Sequence, residues 1–283
     1  MAFPQELVRR IERLTVLDKV ARPVVGLVAK AVRPRGVRNL LSGTNLGHPA
    51  HPMLTDVPIG AWTMSVLLDT FGGSGMESAA DTLVSAGILG AIPTAATGLN
   101  DWSDTIGAER RVGVVHASAN VVALSLYMAS LVARLSGRRG TGKALGLAGL
   151  GALMAGGYLG GHLAYARAVN VNHTALEHRP REWVSVLADE ELSDGDHRVV
   201  YAGDAAVLLI RQDGQLYAIG NACSHAGGPL NEGELTDGCV VCPWHGSTFR
   251  LADGSIVRGP AFSPQPRYQT RISDGKIEIR AQD

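Results

Sequence analysis

Cys223-Ser224-His225 and, beyond residues 226–241, Cys242-Pro243-Trp244-His245 decide how this chain is read. Each limb offers one cysteine and one histidine. A zinc finger more usually takes two cysteines from one limb and two histidines from the other. Mixed limbs suit a pair of irons, one held by two thiolates and the other by two imidazoles. Two loops that each give one ligand of each kind clamp both metals from both sides. Gly227, Gly228 and Pro229 follow the first limb and Gly246 the second. Glycine lets backbone N–H groups come close to cluster sulfides, and proline stiffens a loop. A zinc knuckle, or cysteines and histidines that merely share loops, is the competing reading.

Cys-Ser-His-Ala-Gly-Gly (223–228) and Cys-Pro-Trp-His-Gly-Ser (242–247) resemble the Rieske [2Fe–2S] family, and the resemblance covers roughly residues 183–283. It implies Cys223, His225, Cys242 and His245 as cluster and metal ligands. It also implies an all-β antiparallel sandwich with the ligand loops at one tip, and one-electron transfer. Members of the quinol-oxidase type carry an extra cysteine in each limb, joined as a disulfide. They also carry a serine and a tyrosine that donate hydrogen bonds near the cluster. Here the extra cysteines are missing, with Gly228 and Trp244 in those regions; Ser247 matches the serine and Phe249 stands where the tyrosine would be. Fewer donors imply a midpoint below that type, within a class range of about −150 to +300 mV.

The 283 residues allow two domains, and a net charge of zero argues against a nucleic-acid partner. Of the three cysteines, Cys239 is left over and reads as a small buried strand residue. An even set for disulfides is absent, which fits a reducing compartment. The first forty or so residues are basic and lack a long apolar core, so no cleavable signal peptide is expected.

Residues 1–46 read as a basic amphipathic helical region. Leu7, Ile11, Leu14, Leu17 and Val20 recur at helical spacing among Arg9, Arg10, Arg13 and Lys19. Pro23 is expected to kink or end the first helix, and Val24–Val32 forms a second piece before Pro34. Such a helix lies either in a membrane interface or against a packing partner. The prolines of 47–52 are expected to exclude a regular helix there. A domain over 47–167 then holds four apolar segments, about 53–71, 79–99, 112–134 and 143–166, each near the length that crosses a bilayer. The first is the weakest, with Asp56 and Asp69 near its ends. Gly157-x-x-x-Gly161 in the fourth is a close-packing pattern. Four buried helices of a soluble bundle are the alternative. Nine Lys or Arg precede the first segment, and Arg110, Arg111, Arg167, Arg179 and Arg181 agree with them. Arg134, Arg138, Arg139 and Lys143 dissent. The majority places the N-terminus and the iron–sulfur domain in the cytoplasm of a multi-pass membrane protein. Residues 48–62 (His-Pro-Ala-His-Pro-Met-Leu-Thr-Asp-Val-Pro-Ile-Gly-Ala-Trp) resemble an uncharacterised family of four-helix membrane domains, some of which carry a Rieske module. That resemblance implies architecture and little chemistry.

After a polar linker over 168–182, short β-forming runs fill 183–283. They are 183–187, 198–201, 206–211, 215–220, 239–241, 269–272 and 276–280. Asp213-Gly214 and Asp274-Gly275 signal hairpins, and Asp253-Gly254 a turn. The expected fold is an α-helical four-span bundle followed by an all-β domain. Alternating spans bring His51, His116 and His162 to one membrane face, near Asp56, Asn100, Asp101 and Asn120. Ionisable residues there are candidates for a haem b, a metal or a quinone site, or for a hydrogen-bonded network that fixes the helices. The function expected is that of an oxidoreductase-type component, a membrane-anchored carrier passing single electrons between donor and acceptor proteins or quinone, in contact with lipid. The alternatives are a ferredoxin component serving an oxygenase and a non-catalytic redox or iron sensor. A complete oxygenase needs a mononuclear iron site in a further domain, which residues 1–283 do not carry.

Overall fold

The computed structural model describes residues 3–282. They form two compact units: the chain up to Pro34 with Pro49–Val169, and Arg35–His48 with the chain from Asn170 onward.

The first unit is helical. α1 (Phe3–Arg13) and α2 (Leu17–Ala31) precede four long helices, α4 (Ala50–Phe71), α5 (Glu77–Ser103), α6 (Gly107–Leu135) and α7 (Arg139–Gly161); α3 (Arg35–Ser42) belongs to the second unit. A π-helical turn, His162–Ala166, extends α7. α4 packs along α5 and α6 along α7, giving two hairpins. Their shared core holds Trp62, Val84, Ala123, Tyr127 and Leu153. Trp62 stacks on Tyr127 with ring centroids 4.3 Å apart, and its Nε1 donates to the Val84 carbonyl at 3.2 Å. A polar tip on an apolar ring needs such an acceptor when buried. Outward-facing Leu89, Ile92, Val121, Val132, Leu147 and Met154 stay exposed. Among the described residues, Ser74–Ser103, Gly107–Leu135 and Arg139–Ala166 are long and apolar enough to cross a membrane. α4 falls short of the same composition; His51, Pro52, Asp56, Pro58 and Asp69 all lie within it.

Three local expectations change. α4 starts at Ala50, so His51 and Pro52 are helical. Proline is tolerated in a first turn, where its missing N–H has no intrahelical partner in any case. Pro23 neither ends nor interrupts α2; the break falls earlier, between Arg13 and Leu17. That break lets Val8 and Ile11 pack on Val112 and Leu159, while Asp18 meets Arg111 in a two-point ion pair at 2.9 and 2.8 Å. Finally, much of the dissenting basic cluster is internally neutralised. Arg134, with a side chain 0% exposed, pairs with Asp69 and with Asp81 (3.0 Å); Arg139 pairs with Asp81 and Glu77, and Lys143 donates to the Asp69 carbonyl. Buried charge of this kind persists only when paired.

The second unit is built from ten strands: β1 (Val184–Ala188), β2 (His197–Ala202), β3 (Ala205–Gln212), β4 (Gln215–Gly220), β5 (Glu234–Thr236), β6 (Cys239–Val241), β7 (Thr248–Arg250), β8 (Ile256–Arg258), β9 (Arg267–Ser273) and β10 (Lys276–Gln282). One sheet runs β1-β10-β9-β4-β3-β2 and the other β5-β6-β7-β8, every pairing antiparallel. β5, β6, β7 and β8 have three residues each, too short for a pattern of alternation, and of these only β6 is among the expected runs. Asp213-Gly214, Asp274-Gly275 and Asp237-Gly238 all take positive φ at both positions, as two-residue hairpin turns require. Both faces of β3 are buried. Val207 and Leu209 join Val200, Ile277 and Ile279 in one core, whereas Leu208 and Ile210 join Ile219, Leu230, Val240, Phe249 and both Cys223 and Cys242 in the other. The second core therefore anchors the two cysteine loops directly to the central sheet.

Candidate metal centre

The two loops repeat one backbone design. Cys223 N donates to the Gly228 carbonyl at 2.8 Å, and Gly227 N returns a bond to the Cys223 carbonyl at 2.8 Å. Cys242 N donates to the Ser247 carbonyl at 2.8 Å, and Gly246 N to the Cys242 carbonyl at 3.0 Å. The fifth residue of each loop, Gly227 or Gly246, has φ of 75° or 71°, a left-handed conformation that a Cβ disfavours. Inside each loop, N–H groups hydrogen-bond the cysteine sulfur: those of His225 and Ala226 to Cys223, those of Trp244 and His245 to Cys242.

These loops bring like candidate ligands together. The two sulfurs share a hydrogen bond, which with the nearby N–H groups favours Cys242 as thiolate, lowered to about 6, while the Cys223 thiol is pushed up. The His225 and His245 rings lie edge to face with centroids 5.0 Å apart. Burial drives His225 down to about 3, so it presents a neutral imidazole. Nδ1 of each ring is a buried atom. Among the described residues no three His, Cys, Asp or Glu side chains converge on one point. A single tetrahedral zinc needs four ligands around one centre; two thiols paired here and two imidazoles paired there fit two irons instead. Gly228 leaves room for this pairing, because a Cβ on it would stand 2.9 Å from Cys242 Sγ and 3.0 Å from Trp244 Cδ2.

Side chains that the motif does not announce hold the loops in place. Gln265, 3% exposed, accepts from Ser224 N at 3.1 Å and donates to the carbonyls of Gly220 (2.7 Å) and Ala222 (2.5 Å). Asn221 and Asn231 bond each other reciprocally beneath the first loop. Arg258 donates to the Gly246 carbonyl at 3.1 Å. Ser247 Oγ accepts from Ala261 N at 3.0 Å, which leaves its own proton to donate. Phe249 is fully buried. From the other end of the chain, Asn39 of α3 accepts from Gly259 N at 2.8 Å, and Thr44 donates to the Ala261 carbonyl at 2.9 Å. His173 N donates to the Ser224 carbonyl at 3.0 Å. Trp244 rests one face on Gly228 and is otherwise 56% exposed. Cys239 is buried in β6. No local pattern marks Gln265, Arg258 or Asn39, because each acts across a long sequence separation.

The histidines of the helical unit do not gather as three. His51 and His116 face each other, with ring centroids 6.5 Å apart at 83°. His162 bonds Glu12 at 3.1 Å, next to Arg167, at the junction of α1 with the end of α7. Burial works against ionisation of Glu12, but Arg167 and His162 outweigh it and hold the carboxyl below its ordinary range. Asn100 donates to Asp101 at 2.9 Å.

Residues 182–269 match the Rieske [2Fe-2S] domain family, and residues 47–173 match a family described as predicted membrane protein (DUF2231). Over 92 residues the chain is 37% identical to mouse apoptosis-inducing factor 3, a match that spans 32% of this chain and 15% of that protein. Over 98 residues it is 32% identical to the anthranilate 1,2-dioxygenase ferredoxin subunit of Burkholderia cepacia, spanning 35% of this chain and 91% of that one. The solved structure of the Sphingomonas yanoikuyae B1 ferredoxin aligns at TM-score 0.33 and 25% identity over 36% of this chain and 100% of its own. With paired cysteines, paired histidines and a relative matched over nine-tenths of its length, the chain belongs to the Rieske [2Fe-2S] family and carries that domain behind a DUF2231 membrane-protein domain.

Proposed function

We propose that this protein is a membrane-anchored one-electron carrier in which Cys223 and Cys242 hold one iron of a [2Fe–2S] cluster and His225 and His245 the other. The observation that carries the reading is the repeated loop, which pairs thiol with thiol and imidazole with imidazole. A cluster bound there supplies a one-electron couple. The chain's own groups do the rest. The N–H groups of His225, Ala226, Trp244 and His245 favour sulfur in its charged form. Gln265 and Arg258 hold the loops at fixed separation from the sheet, so little rearrangement accompanies a change of charge. Ser247 retains a hydroxyl proton to donate, and Phe249 has none, which supports a midpoint below the quinol-oxidase type.

α4 is the fourth crossing in this reading. Its 22 residues reach about 33 Å at 1.5 Å per residue, close to a hydrocarbon core of about 30 Å. The N-terminus and the Rieske domain are cytoplasmic, as the majority of basic residues supports. Donor and acceptor are proteins or a quinone. A second reading, electron delivery to a soluble oxygenase, is favoured by the relative named as a ferredoxin subunit of a dioxygenase.

The test is a redox titration of the full chain purified in detergent, followed by electron paramagnetic resonance. The expected result is two irons per chain, a rhombic signal on reduction that Cys223→Ser abolishes, and a midpoint well under the upper limit of about +300 mV. Stoichiometric zinc with no reducible signal would overturn the cluster assignment. Release of the chain from membranes by alkaline carbonate would overturn the anchor.

A further inference from the structure

The helical unit is an internal repeat. Partners that meet between the first and second hairpins lie 65 residues apart in sequence: His51 faces His116, Trp62 stacks on Tyr127, and Asp69 pairs with Arg134. The second helices of the hairpins correspond at a spacing of 62. A Cβ on Gly87 would strike Trp62 and one on Gly149 would strike Tyr127; one on Gly98 would strike His51 and one on Gly160 would crowd His116. Residues related by such a repeat meet each other only at its two-fold axis, and here three successive pairs do so. The axis therefore runs the length of the bundle between α4 and α6.

The histidine pair is set up twice in the same way. His51 Nδ1 bonds the Thr94 carbonyl at 3.0 Å, with Gly98 one turn later against Cε1. His116 Nδ1 bonds the Gly156 carbonyl at 2.8 Å, with Gly160 one turn later against Cε1. A carbonyl only accepts, so each Nδ1 carries the proton and each Nε2 is left as the lone-pair nitrogen. This outer bond is the arrangement that orients metal-ligating imidazoles. Two lone-pair nitrogens cannot hydrogen-bond each other, but both can bind one electrophile. A metal held by imidazole nitrogens at about 2.0–2.1 Å on opposite sides puts the two ring centroids roughly 6 Å apart, and the observed separation is 6.5 Å. Asn120 Nδ2 approaches His116 Nε2 at 3.3 Å, but its shorter bond is to the His116 carbonyl at 2.9 Å, so it can yield that nitrogen.

We propose that His51 and His116 are the two axial ligands of a metal-centred planar macrocycle of the haem class, bound on the internal two-fold axis. No third His, Cys, Asp or Glu joins them among the described residues, so the metal must bring its own equatorial donors. The proposal drops His162, which serves Glu12 instead. It deepens the electron-carrier reading of the chain, yet its test is separable from that reading.

The full chain, purified in detergent from cells supplied with a haem precursor, is titrated with hemin and followed by its Soret band. The expected result is one haem per chain with a low-spin spectrum of two nitrogen axial ligands. His51→Gly and His116→Gly each lower haem content at least tenfold, while His162→Ala and Asn120→Ala leave it unchanged. Free imidazole restores the low-spin band in either glycine variant, which a merely misfolded variant cannot show. An unmodified Soret band in His51→Gly or in His116→Gly overturns the assignment, as does a chain that takes zinc or copper at these residues but not hemin. The reduced-cluster signal is recorded on the same samples. If it persists while hemin fails to bind, this site is wrong and the cluster reading stands; if it is missing while hemin binds, the reverse holds.

Discussion

Gly228→Ala tests whether the ligand loops are as closely fitted as their geometry implies. The added Cβ would lie 2.9 Å from Cys242 Sγ and 3.0 and 3.1 Å from two atoms of the Trp244 ring. Ordinary carbon contacts begin at about 3.5–4.0 Å, so each neighbour has to retreat by roughly half an ångström or more. The neighbours differ in freedom. Trp244 is 56% exposed and can swing outward. Cys242 is 3% exposed, and its sulfur is tied to two backbone N–H groups and to Cys223. Overpacking at such a site costs about 1–3 kcal/mol, which corresponds to roughly a five- to 150-fold shift towards the cluster-free form. The assay is the visible absorbance of the cluster in the detergent-purified full chain, measured as occupancy and as its loss on heating. Gly228→Ala combined with Trp244→Ala removes the two ring contacts and leaves the one to sulfur, so it is expected to recover only part of the loss. Parent-like occupancy and melting in Gly228→Ala would refute the close fit. Complete recovery in the double variant would show that the sulfur contact carries no cost.

Two further outcomes follow from charges in the helical unit. Arg134→Ala strands Asp69, whose side chain is 6% exposed, and is expected to destabilise the bundle by about 3–5 kcal/mol. Thermal unfolding of helical circular dichroism reads this, and adding Asp69→Ala should return part of the loss. Glu12 is held below its ordinary value of 4.5 by Arg167 and His162, despite burial. A carboxyl lowered on folding contributes stability that is present above that value and lost as pH falls through the folded one. Docking of α1 should therefore weaken only below about pH 4.5, as seen by hydrogen exchange in α1. Glu12→Gln should remove that pH dependence, and its persistence would place the acid sensitivity elsewhere.

Local signals carried much of the architecture. The four ligand candidates, the switch from apolar helices to short strands, and both Asp-Gly hairpins could be read from types and spacing, since each depends on residues a few positions apart. Pro23 does not end its helix, because a proline within a helix only weakens it; the ion pair of Asp18 with Arg111 and the packing of Val8 and Ile11 set the break elsewhere. The dissenting arginines were likewise unreadable, because their carboxylate partners lie 53 to 65 residues away. Three of the four three-residue strands, β5, β7 and β8, escaped because so short a run shows no period; β6 was legible from its Cys-Val-Val composition alone.

The cysteine–histidine limbs by themselves determined the chemical class of the centre, because mixed limbs with following glycines are local facts. The tertiary structure decided how the candidate ligands pair, sulfur with sulfur and ring with ring, and which side chains fix them. It also decided which membrane histidines meet. Depth along a helix can be counted from sequence, and it put His51, His116 and His162 at one level. Rotation about the helix axis and the choice of neighbour come only from packing, and packing turns His51 to His116 across the repeat axis and gives His162 to Glu12.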